Sequence, residues 1–325
     1  MLHHCRLIAI ASASLASVAA WAQPAWKPEK NVEIIVPAAP GAAFDTTGRT
    51  LQRLLQDQKM LPVTSSVINK AGGGGTIAMS YLNQHAGDGH YLFVMTASVL
   101  TNNILGVSKD TYTDFSPLAM LFSEYLAYGV RPDSPLKSAK DLAEALRKDP
   151  ARYSIAVATS RGGALHIATG MALKAAGVDV KKLRVVVFNA NAESLTAMLG
   201  GHVDVAVSTV NSFVPQAQAG KLRVIAVSSP RRLPGFAAAP TWKEQGIDSD
   251  YASWRGIMGP RGLNAAQTAY WEDVFGKLTR TNEWRQDVEK NLWEVTFKGS
   301  RETVREMSEH NEQLKRILTE LELVK

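Results

Sequence analysis

The sequence predicts an α/β protein of two lobes, and three observations carry that reading. At 325 residues the chain exceeds one average domain. Short β-branched runs alternate with helix-period segments as far as about Pro230. The loops between them are repeatedly rich in Gly and Ala, as where a backbone must come close to something. A composition of 46% hydrophobic and 20% charged residues is that of an ordinary globular chain and argues against disorder.

Taken in order, Val32–Pro37 (VEIIVP) predicts a buried strand and Thr46–Gln58 a helix with Leu51, Leu54 and Leu55 on one face. Ser66–Asn69 predicts a short strand, Gly75–Gln84 a helix opening from a glycine run, and Tyr91–Thr96 a strand. Met120–Val130 predicts two short extended runs around Glu124. Then come a helix at Ser138–Lys148, a strand at Tyr153–Ala158, a helix at Ala164–Ala176 and a strand at Arg184–Phe188. A short helix at Ala192–Leu199 and strands at Val203–Ser208 and Leu222–Ser228 complete the alternation.

That β-α order predicts two parallel sheets with helices on both faces, one before about Glu124 and one from about Tyr125 to the Val224 strand. After Pro230 the chain turns loop-rich. Trp254–Met258 predicts one more strand, and Ala265–Thr279, Glu283–Leu292 and Arg301–Leu323 predict helices. Val304, Met307, Asn311, Leu314, Leu318 and Leu321 fall at near-heptad spacing. Packing of that seam against its own lobe is preferred to a coiled-coil dimer.

The N-terminus reads as an address. Arg6 precedes an apolar stretch, Leu7–Ala20, too short to span a bilayer comfortably, and Ala20-Trp21-Ala22 supplies small residues at a cleavage site. Residues 1–22 are therefore expected to be a cleaved secretory signal peptide, with the mature protein in the periplasm. The alternative, an uncleaved anchor, lacks a following stop-transfer flank. Cleavage removes the only Cys, so no disulfide framework is available, and loss of a free thiol suits an oxidising compartment.

The formal charge of +6 comes from 36 basic and 30 acidic residues scattered along the chain, with no basic stripe of the kind nucleic acid requires. No Cys/His cluster has metal-site spacing, and neither G-x-S-x-G nor H-E-x-x-H is present, so no catalytic residue and no metal ligand is assigned. A dispersed Ser–His–Asp site remains open to a hydrolase, the weaker class.

In open α/β sheets ligands sit beyond the carboxyl ends of strands, so the loops there are the candidate site. Ala38–Asp45 (AAPGAAFD) offers backbone amides at a helix start, suited to a carboxylate, with Asp45 or Thr46 as helix cap; a plain tight turn is the alternative. Ala71–Thr76 (AGGGGT) permits close approach but lacks the Lys of a phosphate loop, so no nucleotide cofactor is expected. Thr159–His166 (TSRGGALH) places Arg161 where it could clamp a carboxylate, or simply lie in solvent; His166 reads as a packed helix residue. Asn189–Glu193 (NANAE) and Thr209–Ser212 (TVNS) add polar donors and acceptors.

Several segments together resemble a known family. They are Asn31–Asp45, Asn69-Lys-Ala-Gly-Gly-Gly-Gly-Thr-Ile77, Gly87-Asp-Gly-His-Tyr-Leu92, Tyr112-Thr-Asp-Phe-Ser-Pro-Leu118, Leu199-Gly-Gly-His-Val-Asp204, Ala219–Val227 and Pro240-Thr-Trp-Lys-Glu-Gln-Gly246. Their order and content are similar to the Bug-type extracytoplasmic receptors, the substrate-binding components of tripartite tricarboxylate transporters. The resemblance spans essentially the whole mature chain.

It implies a type II periplasmic-binding-protein fold: two α/β lobes with a hinge and a central ligand cleft, lobe 1 from 23–124 and 246–325, lobe 2 from 125–245. It implies ligand contacts at Ala39, Gly41, Ala42, Ala43, Phe44, Asp45 and Ser98 in lobe 1. Lobe 2 would contribute Ser160, Arg161, Gly162, Gly163, Asn189, Asn191 and Asn211. Two departures bear on the ligand: Gly41-Ala42-Ala43-Phe44 stands where many members have a glycine triplet and Thr, and Arg161 lies in a loop that is often uncharged.

The expectation is a monomeric, non-enzymatic receptor. It would capture a small organic carboxylate, whether di-, tri- or aromatic, by lobe closure and dock on membrane transporter subunits. A receptor that reports to a membrane sensor kinase shares every one of these features, and a secreted hydrolase is the remaining class.

Overall fold

The computed structural model describes residues 26–158 and 160–324. The segment read as a signal peptide and Thr159 lie outside the described residues.

The first lobe is built by β1 (Val32–Val36), α1 (Ala43–Asp57), β2 (Ser65–Asn69), α2 (Thr76–Asn83), β3 (Tyr91–Met95) and α3 (Ser98–Ile104). The chain then crosses on β4 (Ser116–Val130). The second lobe follows as α4 (Ala139–Lys148), β5 (Ser154–Ala158), α5 (Ala164–Ala175), β6 (Arg184–Phe188), α6 (Asn191–Leu199), β7 (Val205–Thr209), α7 (Val210–Gln218) and β8 (Arg223–Val227). It returns on β9 (Ala252–Gly259) and ends with α8 (Ala265–Leu278), α9 (Asn282–Asn291), β10 (Trp293–Lys298) and α10 (Ser300–Glu320).

Local chemistry accounts for the boundaries. The apolar run of β1 is buried on both faces, and α1 lays Leu51, Leu54 and Leu55 into the core beside it. Gly48 lets that helix come close: a Cβ there would stand 2.6 Å from Val36. α4 opens on a capping box in which Asp141 N–H donates to Ser138 Oγ and Ser138 N–H donates to the Asp141 carboxylate. Asn264 opens α8 with the same box, and Thr281 caps α9 by accepting from the Trp284 amide.

The parallel order predicted for each lobe holds in two places: β1 lies between β2 and β3, and β5 between β6 and β7, all parallel. The crossing strands run the other way. β9 is antiparallel to both β3 and β4, and β4 is antiparallel to β7, β8 and β10. The whole sheet is therefore mixed, in the order β2-β1-β3-β9-β4-β7-β5-β6.

β4 is one strand and not two runs broken at Glu124. Ser116–Tyr125 pairs with β9, and Leu126–Val130 pairs with β7. A carboxylate can sit in that apolar run because Arg255 neutralises it. β10 is an element the helical reading of the C-terminus missed. It alternates Trp293, Val295 and Phe297 and pairs with β4, stacking Trp293 on Phe122 at 3.9 Å.

α10 buries Met307, Leu314 and Leu318 against its own chain, touching β4, α3 and α5. Among the described residues no helix is long and apolar enough to cross a membrane.

Candidate functional site

A cavity of about 170 Å³ opens where the carboxyl ends of strands from both lobes face each other. The first lobe contributes Pro37–Ala39, Ala42–Phe44, Ala71–Gly75, Thr96 and Ser98; the second contributes Ser160, Gly163–Leu165, Asn189–Asn191 and Thr209. The crossing strands supply Leu126, Ser253 and Arg255.

The wall has an unusual share of bare helix starts. α1, α5, α6 and α7 begin after Ala42, Gly163, Ala190 and Thr209, all on the cavity, and none of these gives its helix a side-chain cap. Ser138, Asn264 and Thr281 do cap helices that face elsewhere, while α10, also away from the cavity, starts at Gly299 without a side-chain cap. First-turn amides without a cap are donors at the positive end of the helix dipole, and several aimed into one cavity favour an anion.

The first loop is shaped from behind by Asp45. Its carboxylate accepts from Gly41 N–H (2.8 Å), Arg49 Nε (2.8 Å) and Asn69 Nδ2 (2.9 Å), and it is buried. Burial pushes its pKa up, but Arg49, the Gly41 amide and Asn69 outweigh that and hold it below the ordinary carboxylate value. Asn69 Nδ2 also donates to Ala38 O at 3.0 Å, closing the loop on β2.

Gly72, Gly73, Gly74 and Gly75 all have positive φ, from 58° to 118°, which is why four glycines stand in a row. Gly74 O accepts from Asn102 Nδ2 at 3.1 Å, and a Cβ on Gly74 would lie 3.5 Å from Ser160 of the other lobe.

On that second lobe Gly162 N–H donates to His166 Nδ1 at 2.9 Å. Burial, with the charge of Arg161 as a smaller cause, lowers the imidazole to about 4, so it stays neutral and accepting near neutral pH.

Of the residues implied as ligand contacts, the structure brings Ala39, Ala42, Ala43, Phe44, Ser98, Ser160, Gly163, Asn189 and Asn191 to one cavity. The others stand off it. Gly41 and Asp45 face each other inside the loop, and Gly162 is turned to His166. Arg161 is exposed. Asn211 accepts from Thr209 Oγ1 at 2.6 Å and donates to Asn291 at 3.4 Å.

Sequence reasoning missed Arg255. It sits inside what reads as a plain buried strand, and the only pointer to it is a charge placed in an apolar run, matched by Glu124 in another. Arg255 is 5% exposed. It donates from Nη2 to Glu124 and from Nη1 to Ser253 Oγ (2.8 Å), Trp254 O (3.1 Å) and Thr96 Oγ1 (3.4 Å). The Phe44 ring lies over its guanidinium at 4.5 Å. Among the described residues no group of His, Cys, Asp and Glu is arranged to hold a metal ion.

A family model described as the tripartite tricarboxylate transporter family receptor matches residues 49–323. Protein BugT of Bordetella pertussis is 26% identical over 242 residues, 73% of this chain and 72% of that protein. Among solved structures, the periplasmic binding protein BugD superposes with a TM-score of 0.81 at 24% identity, covering 92% of this chain and 99% of its own. The R. palustris protein Rpa4515, solved with adipate, gives 0.82 at 21% identity, covering 90% and 98%. These likenesses are to the two-lobed periplasmic-binding-protein fold.

Proposed function

The chain belongs to the tripartite tricarboxylate transporter receptor family, and from that premise we propose that it captures a small organic carboxylate in the cavity between its lobes and delivers it to a tripartite tricarboxylate-type membrane transporter. As a member of that family it is a solute-binding receptor and not an enzyme.

The observation that carries the reading is the convergence of uncapped helix starts from both lobes, at Ala42, Gly163, Ala190 and Thr209, on a cavity floored by Arg255. Donors in that number call for an acceptor-rich anion. The adipate in the Rpa4515 structure supports a carboxylate by analogy of fold.

Because the two walls belong to different lobes, an acid touching both favours the closed arrangement over the open one, and closure is the population shift that such differential contact produces. The sites at Ala39, Ala42–Phe44 and Ser98 would hold one side of the acid, and Ser160, Gly163, Asn189 and Asn191 the other. The receptor works in the periplasm as a monomer, Met307, Leu314 and Leu318 of the α10 seam being already buried on its own chain although Val304 is exposed.

The test is a melting-temperature screen of the mature protein against mono-, di-, tri- and aromatic carboxylates, followed by calorimetry on any acid that raises the transition. One acid bound per chain, unchanged on incubation, supports the receptor. Conversion of an acid to product, or no stabilisation by any of them, counts against it. Capture of transporter membrane subunits by the acid-loaded protein from detergent-solubilised inner membranes tests the delivery step.

A further inference from the structure

Resting on the carboxylate-receptor reading above, we infer that Arg255 is the charge-selecting group of the cleft: one carboxylate of the ligand is held in the guanidinium plane by Arg255 Nε–H, together with the hydroxyls of Thr96 and Ser253.

Among the described residues, Arg255 is the one formally charged side chain on the cavity wall. It is more than nine-tenths buried, and its Nε–H has no acceptor among the described residues. A buried donor on a charged group that lacks an acceptor is costly, and such groups are rarely left without a reason.

Its neighbours point the same way. Thr96 Oγ1 and Ser253 Oγ each accept from Arg255 Nη1, which occupies one lone pair on each and leaves their own protons free to donate. Both residues also line the cavity. The floor is therefore a cluster of donors without matching acceptors, which a carboxylate completes and a cation or an apolar group does not.

The geometry also limits how the acid arrives. Phe44 covers one face of the guanidinium at 4.5 Å, and Glu124 takes the Nη2 corner. The in-plane edge carrying Nε–H is what remains for a carboxylate. Arg255 brings one positive charge already balanced by Glu124, so the floor takes a single carboxylate. Any second acidic group on the ligand falls to the amides of α5 and α6 across the cleft.

The wild-type protein decides this. Its arginine Nε–H resonances are followed by NMR while malate, adipate and benzoate are added, with adipamide as the uncharged counterpart of adipate. The Arg255 signal is identified as the one absent in Arg255→Lys, or, if that variant fails to fold, as the one displaced in Ser253→Ala.

An acid that raises the melting temperature is expected to move the Arg255 signal, while adipamide moves neither. Calorimetry is expected to show affinity about 10- to 100-fold weaker in Arg255→Lys and about 3- to 10-fold weaker in Ser253→Ala. An acid that binds with the Arg255 signal unmoved, or with affinity unchanged in a folded variant, overturns the assignment and leaves the receptor reading standing. Failure of every carboxylate to bind the wild type overturns both.

Discussion

The Glu124 carboxylate and the Arg255 guanidinium are paired at the point where β4 leaves one lobe for the other. Glu124 stands opposite Ser253 of β9, and two residues later Leu126 stands opposite Thr209 of β7. The pair thus lies at the crossing, and Arg255 is also on the floor of the cavity, so the site and the crossing share one buried interaction.

Removing one member strands the other charge. Glu124→Ala is predicted to lower unfolding stability by about 3–5 kcal/mol, as for other broken buried pairs. Burial raises the Glu124 pKa despite the attraction of Arg255. Urea melts of wild type and variant near neutral pH measure the loss; a value below about 1 kcal/mol would remove the pair from the account.

Asp45 acts on the ligand loop from behind. Asp45→Ala frees the Gly41 amide, Arg49 and Asn69 and should cost about 1–3 kcal/mol near neutral pH. Its lowered pKa means the stability it contributes is present above the ordinary carboxyl value and disappears as pH falls below it. Melting curves of wild type and variant should therefore converge in acid, and a constant gap would refute the ionic role.

His166 gives the second lobe a pH dependence of its own. Its folded pKa of about 4 lies below the ordinary 6.5, so the unfolded chain binds the proton first and stability falls as pH drops between those values. The span corresponds to roughly 3 kcal/mol at most. His166→Asn, which keeps an acceptor for Gly162 but does not titrate there, should lose markedly less between pH 7 and pH 4.5; equal losses would show that other groups are responsible.

Phe44 and Arg161 should separate in a binding experiment. Phe44→Ala uncovers the Arg255 guanidinium and removes a cavity wall, with an expected loss of about 10-fold in carboxylate affinity. Arg161→Ala alters an exposed side chain off the cavity and should change affinity by less than about 3-fold. Calorimetry on both variants checks the pair, and the reverse ranking would move the charge anchor from Arg255 to Arg161.

What was legible in the sequence follows from how local each signal is. Strand and helix runs such as Val32–Val36 and Ala164–Ala175 declare themselves by periodicity, and the glycine run at 72–75 declares a backbone that side chains would obstruct. The loops that reach the cavity were readable because each follows a strand.

The partnership of Glu124 with Arg255 was not, since 131 residues separate the two and neither makes sense alone. Glu124 by itself reads as a break in β4, and Arg255 by itself as an oddity in β9. β10 was hidden by its neighbours: a six-residue alternation between two helices is too short to outweigh helical surroundings. Asp45 was readable as a helix-start residue, but only the fold shows that its carboxylate faces Gly41 and Asn69 and not the cavity.

The central claim is that the cavity between the lobes holds a small organic carboxylate, and calorimetric titration of the wild type beside Ala43→Phe tests it most directly. Ala43 is the first residue of α1 and lines the cavity, so a phenyl group there fills the space without touching the core beneath. One carboxylate bound per wild-type chain, and none by a variant of unchanged melting temperature, is the predicted result. The same stoichiometry and affinity in the filled variant would contradict it.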